Sequence, residues 1–142
     1  MLFRSFTGVL EGARKEGCVR TLLGRLRPIN GIKNTTGRTR NLPERTAINT
    51  VIQGSAADMI KLAMLRIHRR LRNEDFGGRM LLQIHDELVF EVDADRAEAM
   101  GRMVVEEMTE ALPLDGVPLK VDVGIGPNWL ELEPLELEPA EA

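Results

Sequence analysis

Apolar side chains recur at the helical period along residues 44–72 and predict one long helix. The steps between them are 4, 4, 3, 4, 4 and 4, which places them along one side of a helix. Pro43 and Glu44 suit its first turn, and a cluster of arginines suits its last, where cations complement the helix dipole. The expected buried stripe consists of Ile48, Ile52, Ala56, Met59, Ala63, Ile67 and Leu71.

Two other patterns precede this helix. Residues 2–16 have the pattern of a short helix that ends at Gly17. Residues 24–43 are rich in Gly, Asn, Thr, Pro and basic residues. That composition is typical of a loop and not of a core element.

A pair of apolar strands is predicted after the long helix. Met80–Ile84 and Leu88–Val92 are rich in large and β-branched side chains and contain no Gly or Pro. They meet at His85, Asp86 and Glu87, whereas a tight hairpin normally has Asn-Gly or Asp-Gly at its tip. A local rule broken by ionisable residues is where function is expected.

The remaining elements predict an α+β fold. Asp95–Leu112 have the pattern of an amphipathic helix, and residues 117–125 alternate apolar and polar positions as a third strand does. This order predicts an antiparallel sheet, made of the hairpin and the C-terminal strand, with the two helices packed on one face. Residues 132–142 are acidic and proline-containing, and we expect them to be solvated and disordered.

Composition excludes several classes of protein. The chain has 142 residues, of which 43% are hydrophobic and 29% charged, so it can form a packed core of one domain or belong to a larger one. One cysteine excludes an internal disulfide framework, and two distant histidines do not form a zinc motif. No apolar run approaches the roughly 18–20 residues of a membrane helix. With no signal-peptide pattern, we expect a cytoplasmic protein without a membrane partner.

Charge is divided unevenly between the two halves. Residues 1–72 carry 15 Lys and Arg against 4 Asp and Glu, a net of +11, and residues 73–142 carry 4 against 18, a net of −14. A strongly basic half suits a polyanion, because each neutralised phosphate releases condensed counterions. Attraction between the halves, or an ordinary solvated basic face, would explain the same division.

The ionisable tip is the first candidate for chemistry. Neighbouring carboxylates at Asp86 and Glu87 are the hard oxygen ligands that Mg²⁺ prefers. One aspartate does not complete a two-metal site, which needs further carboxylates to set the ions about 3.5–4 Å apart. A polar turn without a ligand is the simpler alternative.

The second and third candidates are donors for nucleic acid. Arg45, Asn49 and Gln53 are spaced four residues apart, so they lie along one side of the helix near its positive end. The minor groove offers acceptors in similar positions on every base pair, although a solvated helix face has the same pattern. The third is a set of loop cations suited to phosphates, or to a mobile surface loop: Arg20, Arg25, Arg27, Lys33, Arg38 and Arg40.

Four segments resemble family A DNA polymerases, the bacterial DNA polymerase I type. They occur in the order of the family and cover roughly residues 10–131. One resembles the C motif of the palm, and the others resemble the helix before that motif, the helix and loop leading toward it, and the C-terminal ending. In that order the segments are LLQIHDELVFEV, PERTAINTVIQGSAADMIKLAM, LEGARKEGCVRTLLGRLRPI and VPLKVDVGIGPNWLE.

The resemblance implies roles for the acidic tip. Asp86 would be a catalytic, metal-binding aspartate of a two-Mg²⁺ centre, with Glu87 as its acidic neighbour. His85 would lie near the primer terminus, and Gln83 would contact the primer–template. The function implied is template-dependent transfer of nucleotides from dNTPs to a primer 3′-hydroxyl in DNA replication and repair.

The resemblance also implies a duplex partner for the basic half. Arg45, Asn49 and Gln53 would line the minor groove near the insertion site. Arg25 and Arg27 would contact the nucleic-acid backbone.

The resemblance assigns three parts to the chain. Residues 1–43 would be the end-of-fingers helix and basic loop, residues 44–131 the palm portion with the catalytic hairpin, and residues 132–142 an acidic tail.

Parts of the family pattern are missing from the sequence. There is no DYSQIE-like run to supply the other catalytic aspartate, and no fingers helix to bind the incoming nucleotide. We therefore expect the chain to be the C-terminal part of a polymerase that does not polymerise alone. It would bind dNTP only with the missing fingers, or with the upstream polymerase part in trans.

Two other functions remain open at this stage. One is a non-catalytic relic of a polymerase that still binds duplex DNA through its basic half. The other is a small Mg²⁺-dependent hydrolase built on His85, Asp86 and Glu87, which would need more carboxylates around the tip than the sequence places there.

Overall fold

The protein forms two compact units whose boundary falls inside the long helix. A computed structural model describes residues 6–34, 41–114 and 116–135. The first unit is Met1–Met59 and the second is Ile60–Ala142. The first half of the long helix packs with the segment before it, and the division at residue 43 that the resemblance implies stays a prediction. The described helices include none that is long and apolar enough to cross a membrane.

In the first unit, helix α1 (Phe6–Glu16) leads into an antiparallel pair of strands, β1 (Cys18–Arg20) and β2 (Leu26–Pro28). A 3-10 turn at Ile32–Asn34 precedes helix α2 (Asn41–Asn73). The buried core of this unit consists of Ala13, Val19, Ile29, Ile32 and Ala47.

The prediction of a loop over residues 24–43 is therefore wrong for its first half. Leu26–Pro28 pair with β1, while Ile29 and Ile32 are buried. Ile29 and Ile32 are spaced three apart among polar residues, and their burial in the core that includes Ala13 of α1 stabilises the segment. Residues 35–40, which include Arg38 and Arg40, lie outside the described residues.

Helix α2 confirms the predicted long helix but only part of its buried stripe. Ala63 and Ile67 are buried as expected, whereas Ile52 is 47% exposed. In the first half of the helix the buried positions are Ala47, Ser55 and Asp58. The stripe is displaced there because the neighbouring β1–β2 turn is polar and requires polar partners from α2.

In the second unit, the predicted hairpin is confirmed as β3 (Gly78–Ile84) and β4 (Glu87–Val92). Helix α3 (Ala97–Thr109) follows a 3-10 turn at Ala94–Arg96. Residues of α2 and α3 form one core, against which Met80, Leu88, Phe90 and Val92 of the hairpin pack. The buried members of that core are Ala63, Ile67, Met100, Met103, Val104 and Ala111. Helices on one face of an antiparallel hairpin confirm the α+β class.

The C-terminal strand is shorter than predicted and has a different partner. Within the described residues, only Gly124–Ile125 (β5) of residues 117–125 are a strand, and they pair with Glu133–Pro134 (β6). The described strands form three separate two-stranded sheets. The tail predicted for residues 132–142 thus begins with paired residues, and residues 136–142 lie outside the described part.

Candidate functional site

The acidic tip is a two-residue turn between β3 and β4. Ile84 lies opposite Glu87 in the strand register, so His85 and Asp86 alone make the reversal. His85 has φ 51°, the one positive φ among the described residues other than glycines. This conformation is uncommon for a residue with a Cβ, and such backbone strain concentrates at functional sites.

Side chains of the turn are presented to solvent. His85, Asp86 and Glu87 are all exposed. The side-chain amide of Gln83 donates a hydrogen bond to the backbone carbonyl of His85. Gln83, predicted as a primer–template contact, therefore has a local role in holding the turn.

The carboxylates of the turn fit part of a metal site. Asp86 and Glu87 supply oxygen ligands of the kind that Mg²⁺ prefers. In the part of the chain that the structure describes, no three His, Cys, Asp or Glu residues are grouped so that they could hold a metal. Asp86 and Glu87 alone therefore supply too few ligands for a complete metal site among these residues.

The predicted donors of α2 form an open surface in the first unit. Arg45, Asn49 and Gln53 are all exposed. No hydrogen bond or ion pair joins their side chains to the described residues, so their N–H groups are available to a ligand. Ala47 on the opposite side of the helix is fully buried, which fixes the outward direction of the three donors.

Arg25 has a partner that the sequence reasoning missed. Its Nε donates to Oδ1 of Asp58 at 2.8 Å, and its Nη2 lies 2.7 Å from the same oxygen. The hydroxyl of Thr21 donates to Oδ2 of Asp58 at 2.6 Å. Asp58 is 2% exposed, so Arg25 and Thr21 satisfy a buried carboxylate on α2.

The β1–β2 turn is attached to α2 at a second point. The backbone N–H of Leu22 donates to Oγ of Ser55 at 2.9 Å, and that hydroxyl donates to the carbonyl of Val51 at 2.6 Å. Gly54 lies so near that a Cβ there would be 2.8 Å from Cγ2 of Thr21. A signal for this attachment was present, because Ser55 and Asp58 are polar residues three apart in a helix whose first half has few acids.

Three further candidate cations of the first unit, Arg20, Arg27 and Lys33, are exposed. Arg27 lies on β2 opposite Val19 and has no ion-pair partner among the described residues. Arg20 reaches the carbonyl of Gly24 at 3.5 Å, and the aliphatic part of Lys33 covers Gly17. The cationic candidates belong to the first unit, and the acidic turn belongs to the second. Within the first unit the structure brings Arg25 to α2, and within the second it brings Gln83 to His85.

Comparison with known proteins places the chain in one family of sequences. The family model described as DNA polymerase family A matches residues 3–131. DNA polymerase I of Mycobacterium leprae is 47% identical over 121 residues, which are 85% of this chain and 13% of that protein. The thermostable DNA polymerase I of Thermus aquaticus is 48% identical over 121 residues, 85% of this chain and 14% of that protein.

A solved structure matches as well. It is the POL domain of Pol1 from M. smegmatis in complex with DNA primer-template and dNTP, with a TM-score of 0.73 and 41% identity. The match covers 81% of this chain and 20% of that one. The chain therefore spans a minor part of the proteins it matches.

Proposed function

The chain belongs to DNA polymerase family A, and from that membership we propose that it supplies the acidic turn and a duplex-binding face to a DNA-directed DNA polymerase. The activity is template-dependent transfer of nucleotides from dNTPs to a primer 3′-hydroxyl, in DNA replication and repair in the cytoplasm. The observation that carries the proposal is the exposed Asp86 on a strained turn, within a segment that the family model matches throughout.

In this proposal, Asp86 is a metal-binding catalytic residue with Glu87 beside it. Bound Mg²⁺ ions would lower the pKa of the attacking hydroxyl and stabilise charge on the leaving pyrophosphate. The antiparallel pairing of β3 and β4 on either side of the turn fixes where its backbone carries Asp86, since strands position a site better than loops do. His85 would lie near the primer terminus, and Gln83, whose side-chain amide donates to the His85 carbonyl, would contact the primer–template from the same turn.

The duplex is held by the first unit. Arg45, Asn49 and Gln53 direct uncommitted N–H donors outward and would meet minor-groove acceptors without reading sequence. Arg25 and Arg27 would contact phosphates, which position a duplex. The dNTP is bound only with the missing fingers, so the chain alone does not extend a primer.

Complementation tests the catalytic part of this proposal. The purified chain is mixed with primer–template, Mg²⁺ and dNTPs, with and without the upstream part of a family A polymerase. We expect no extension by the chain alone and extension by the mixture. Asp86→Asn should lower the extension rate of the mixture by more than about 100-fold. Removing a residue that only hydrogen-bonds to a metal ligand already costs up to about 100-fold, and Asp86 would itself be a ligand.

The matched control is Asp95→Asn. The Asp95 carboxylate is 82% exposed in the same unit and contacts Arg96 at 3.8 Å, so its removal should leave extension unchanged. Extension by the pure chain would refute the dependence on a missing part. Duplex binding together with no extension in the complemented mixture would instead support a non-catalytic, DNA-binding relic.

A further inference from the structure

The strongest unassigned feature is the buried carboxylate of Asp58. Both of its oxygens are occupied: Oδ2 accepts from Thr21, while Oδ1 faces Nε and Nη2 of Arg25 at 2.8 and 2.7 Å. The Asp58 side chain is 1% exposed, and a buried charge of this kind must be paired and hydrogen-bonded. Both carboxylate oxygens of Asp58 thus bind side chains of the β1–β2 turn.

Arg25 uses only part of its guanidinium in the ion pair with Asp58. Its side chain is 62% exposed although one edge of the guanidinium faces Asp58. A guanidinium carries five N–H groups in a planar fork, so fixing one edge also fixes the direction of the other N–H groups. The ion pair leaves these groups oriented toward solvent while it neutralises the positive charge.

Resting on the proposed duplex binding, we propose that Asp58 is a positioning residue that makes Arg25 a directed hydrogen-bond donor to a nucleic-acid phosphate. Arg25 then differs in kind from Arg27, an exposed cation without an ion-pair partner in the described residues. The turn that carries Arg25, and that leads into the strand with Arg27, is attached to α2 by the bond from the Leu22 N–H to Ser55. The whole arrangement belongs to the first unit.

The two kinds of arginine have different salt signatures. A mobile cation that neutralises a phosphate releases counterions, so it contributes about 0.9 to the slope of log affinity against log salt. A guanidinium already neutralised by Asp58 contributes little to that slope, although its hydrogen bonds still raise affinity. Asp58→Asn would remove the neutralising carboxylate, so Arg25 would then contribute to the slope as a mobile cation does.

The experiment measures duplex binding by the full chain across a salt series, using fluorescence anisotropy of a labelled primer–template. Arg27→Ala should make the slope shallower by about 0.9, and Asp58→Asn should make it steeper by up to about 0.9. Arg25→Lys should weaken binding about tenfold at one salt concentration with the slope unchanged, because charge remains while the fork is lost. A substitution that merely unfolded some of the protein would lower the fraction of duplex that is bound and would leave the slope unchanged.

The matched control for Asp58→Asn is Glu11→Gln. Glu11 is exposed on α1 in the same unit and pairs with no arginine of the described residues, so its substitution adds the same unit of positive charge without freeing a guanidinium. We expect it to leave the slope unchanged. An equal steepening by both variants, or no steepening by Asp58→Asn, would overturn the assignment of Asp58.

A second measurement needs no variant and no DNA. In the wild-type chain, NMR relaxation of the Arg25 Nε–H should show an ordered group, whereas Arg27 should be mobile. A mobile Arg25 would refute positioning by Asp58. An ordered Arg25 in a chain that does not bind duplex would uphold the positioning and refute the proposed duplex binding.

Discussion

At the scale of single residues, His85 departs most from the backbone conformation that residues with a side chain prefer. Its φ of 51° lies in the left-handed region, which costs an L-residue with a side chain about 1–2 kcal/mol. Glycine at the same place would avoid that cost, although it loses more entropy on folding. The presence of histidine in this conformation is consistent with a role for its imidazole.

His85→Gly separates stability from function. We expect the free energy of unfolding to rise by about 0.5–1 kcal/mol, because the relief of strain exceeds the entropy lost by glycine. Extension in the complemented assay should fall, because the imidazole is lost. Urea unfolding measures the first effect, and a drop in stability would show that the imidazole makes stabilising contacts.

Gly54 gives a second prediction at this scale. Alanine normally stabilises a helix relative to glycine, but a Cβ here would lie 2.8 Å from Cγ2 of Thr21. Thr21 is stiff at χ1 and its hydroxyl is bonded to Asp58. We therefore expect Gly54→Ala to reduce stability by about 1–3 kcal/mol.

Thr21→Ser is the matched test of this steric cause, since serine keeps the hydroxyl and lacks the methyl group. The double variant with Gly54→Ala should recover most of the lost stability in urea titrations. If the double variant loses as much stability as the two single variants together, the methyl group is not the cause.

At the scale of elements, the end of α2 is held by a charged network. Arg70 pairs with Glu74 at 2.9 Å and with Glu106 of α3 at 2.8 Å. The hydrogen bonds that Arg70 donates, first to Glu74 and then to Glu106, raise the pKa of its guanidinium. The bond that Glu74 accepts from Arg70 lowers the pKa of the Glu74 carboxyl below its ordinary value. The network joins the two helices that cover the β3–β4 hairpin.

The lowered pKa of Glu74 has a consequence for acid stability. A carboxyl whose pKa is lower in the folded state stabilises the fold above its unfolded pKa, and this contribution is lost as pH falls through the folded pKa. The wild-type chain should therefore lose stability in acid more steeply than Glu74→Gln. Urea unfolding from neutral pH to about pH 3 measures this, and parallel curves for the two proteins would contradict it.

At the scale of the whole molecule, the β3–β4 pair has open edges. Its sheet contains two strands in the described part of the chain, and Leu81 and Leu82 are 51% and 40% exposed. Unpaired edges with apolar side chains favour association.

We therefore expect the isolated chain to self-associate. Sedimentation velocity over a range of concentrations should show oligomers, and a variant with both Leu81→Thr and Leu82→Thr should shift them toward monomer. Leu130→Thr is the control, because Leu130 is 93% exposed and lies outside the strand pairs. Wild-type monomers with cooperative melting would refute the expectation.

The sequence by itself determined the features that depend on local periodicity and on motif order. It predicted α2, the β3–β4 hairpin and the helix after it, because each has a sustained apolar period. It also led to the family, because four motifs occur in one order. The acidic turn followed from three ionisable residues between apolar strands.

Tertiary structure alone decided what pairs with what. Nothing local indicates that Arg25 lies against Asp58, 33 residues away, or that β5 pairs with β6 beyond Trp129. The buried side of α2 changes along its length because one unit presents a polar turn and the other an apolar hairpin. Periodicity reports which side chains repeat along a helix, whereas burial depends on the neighbour that the folded chain brings to each side.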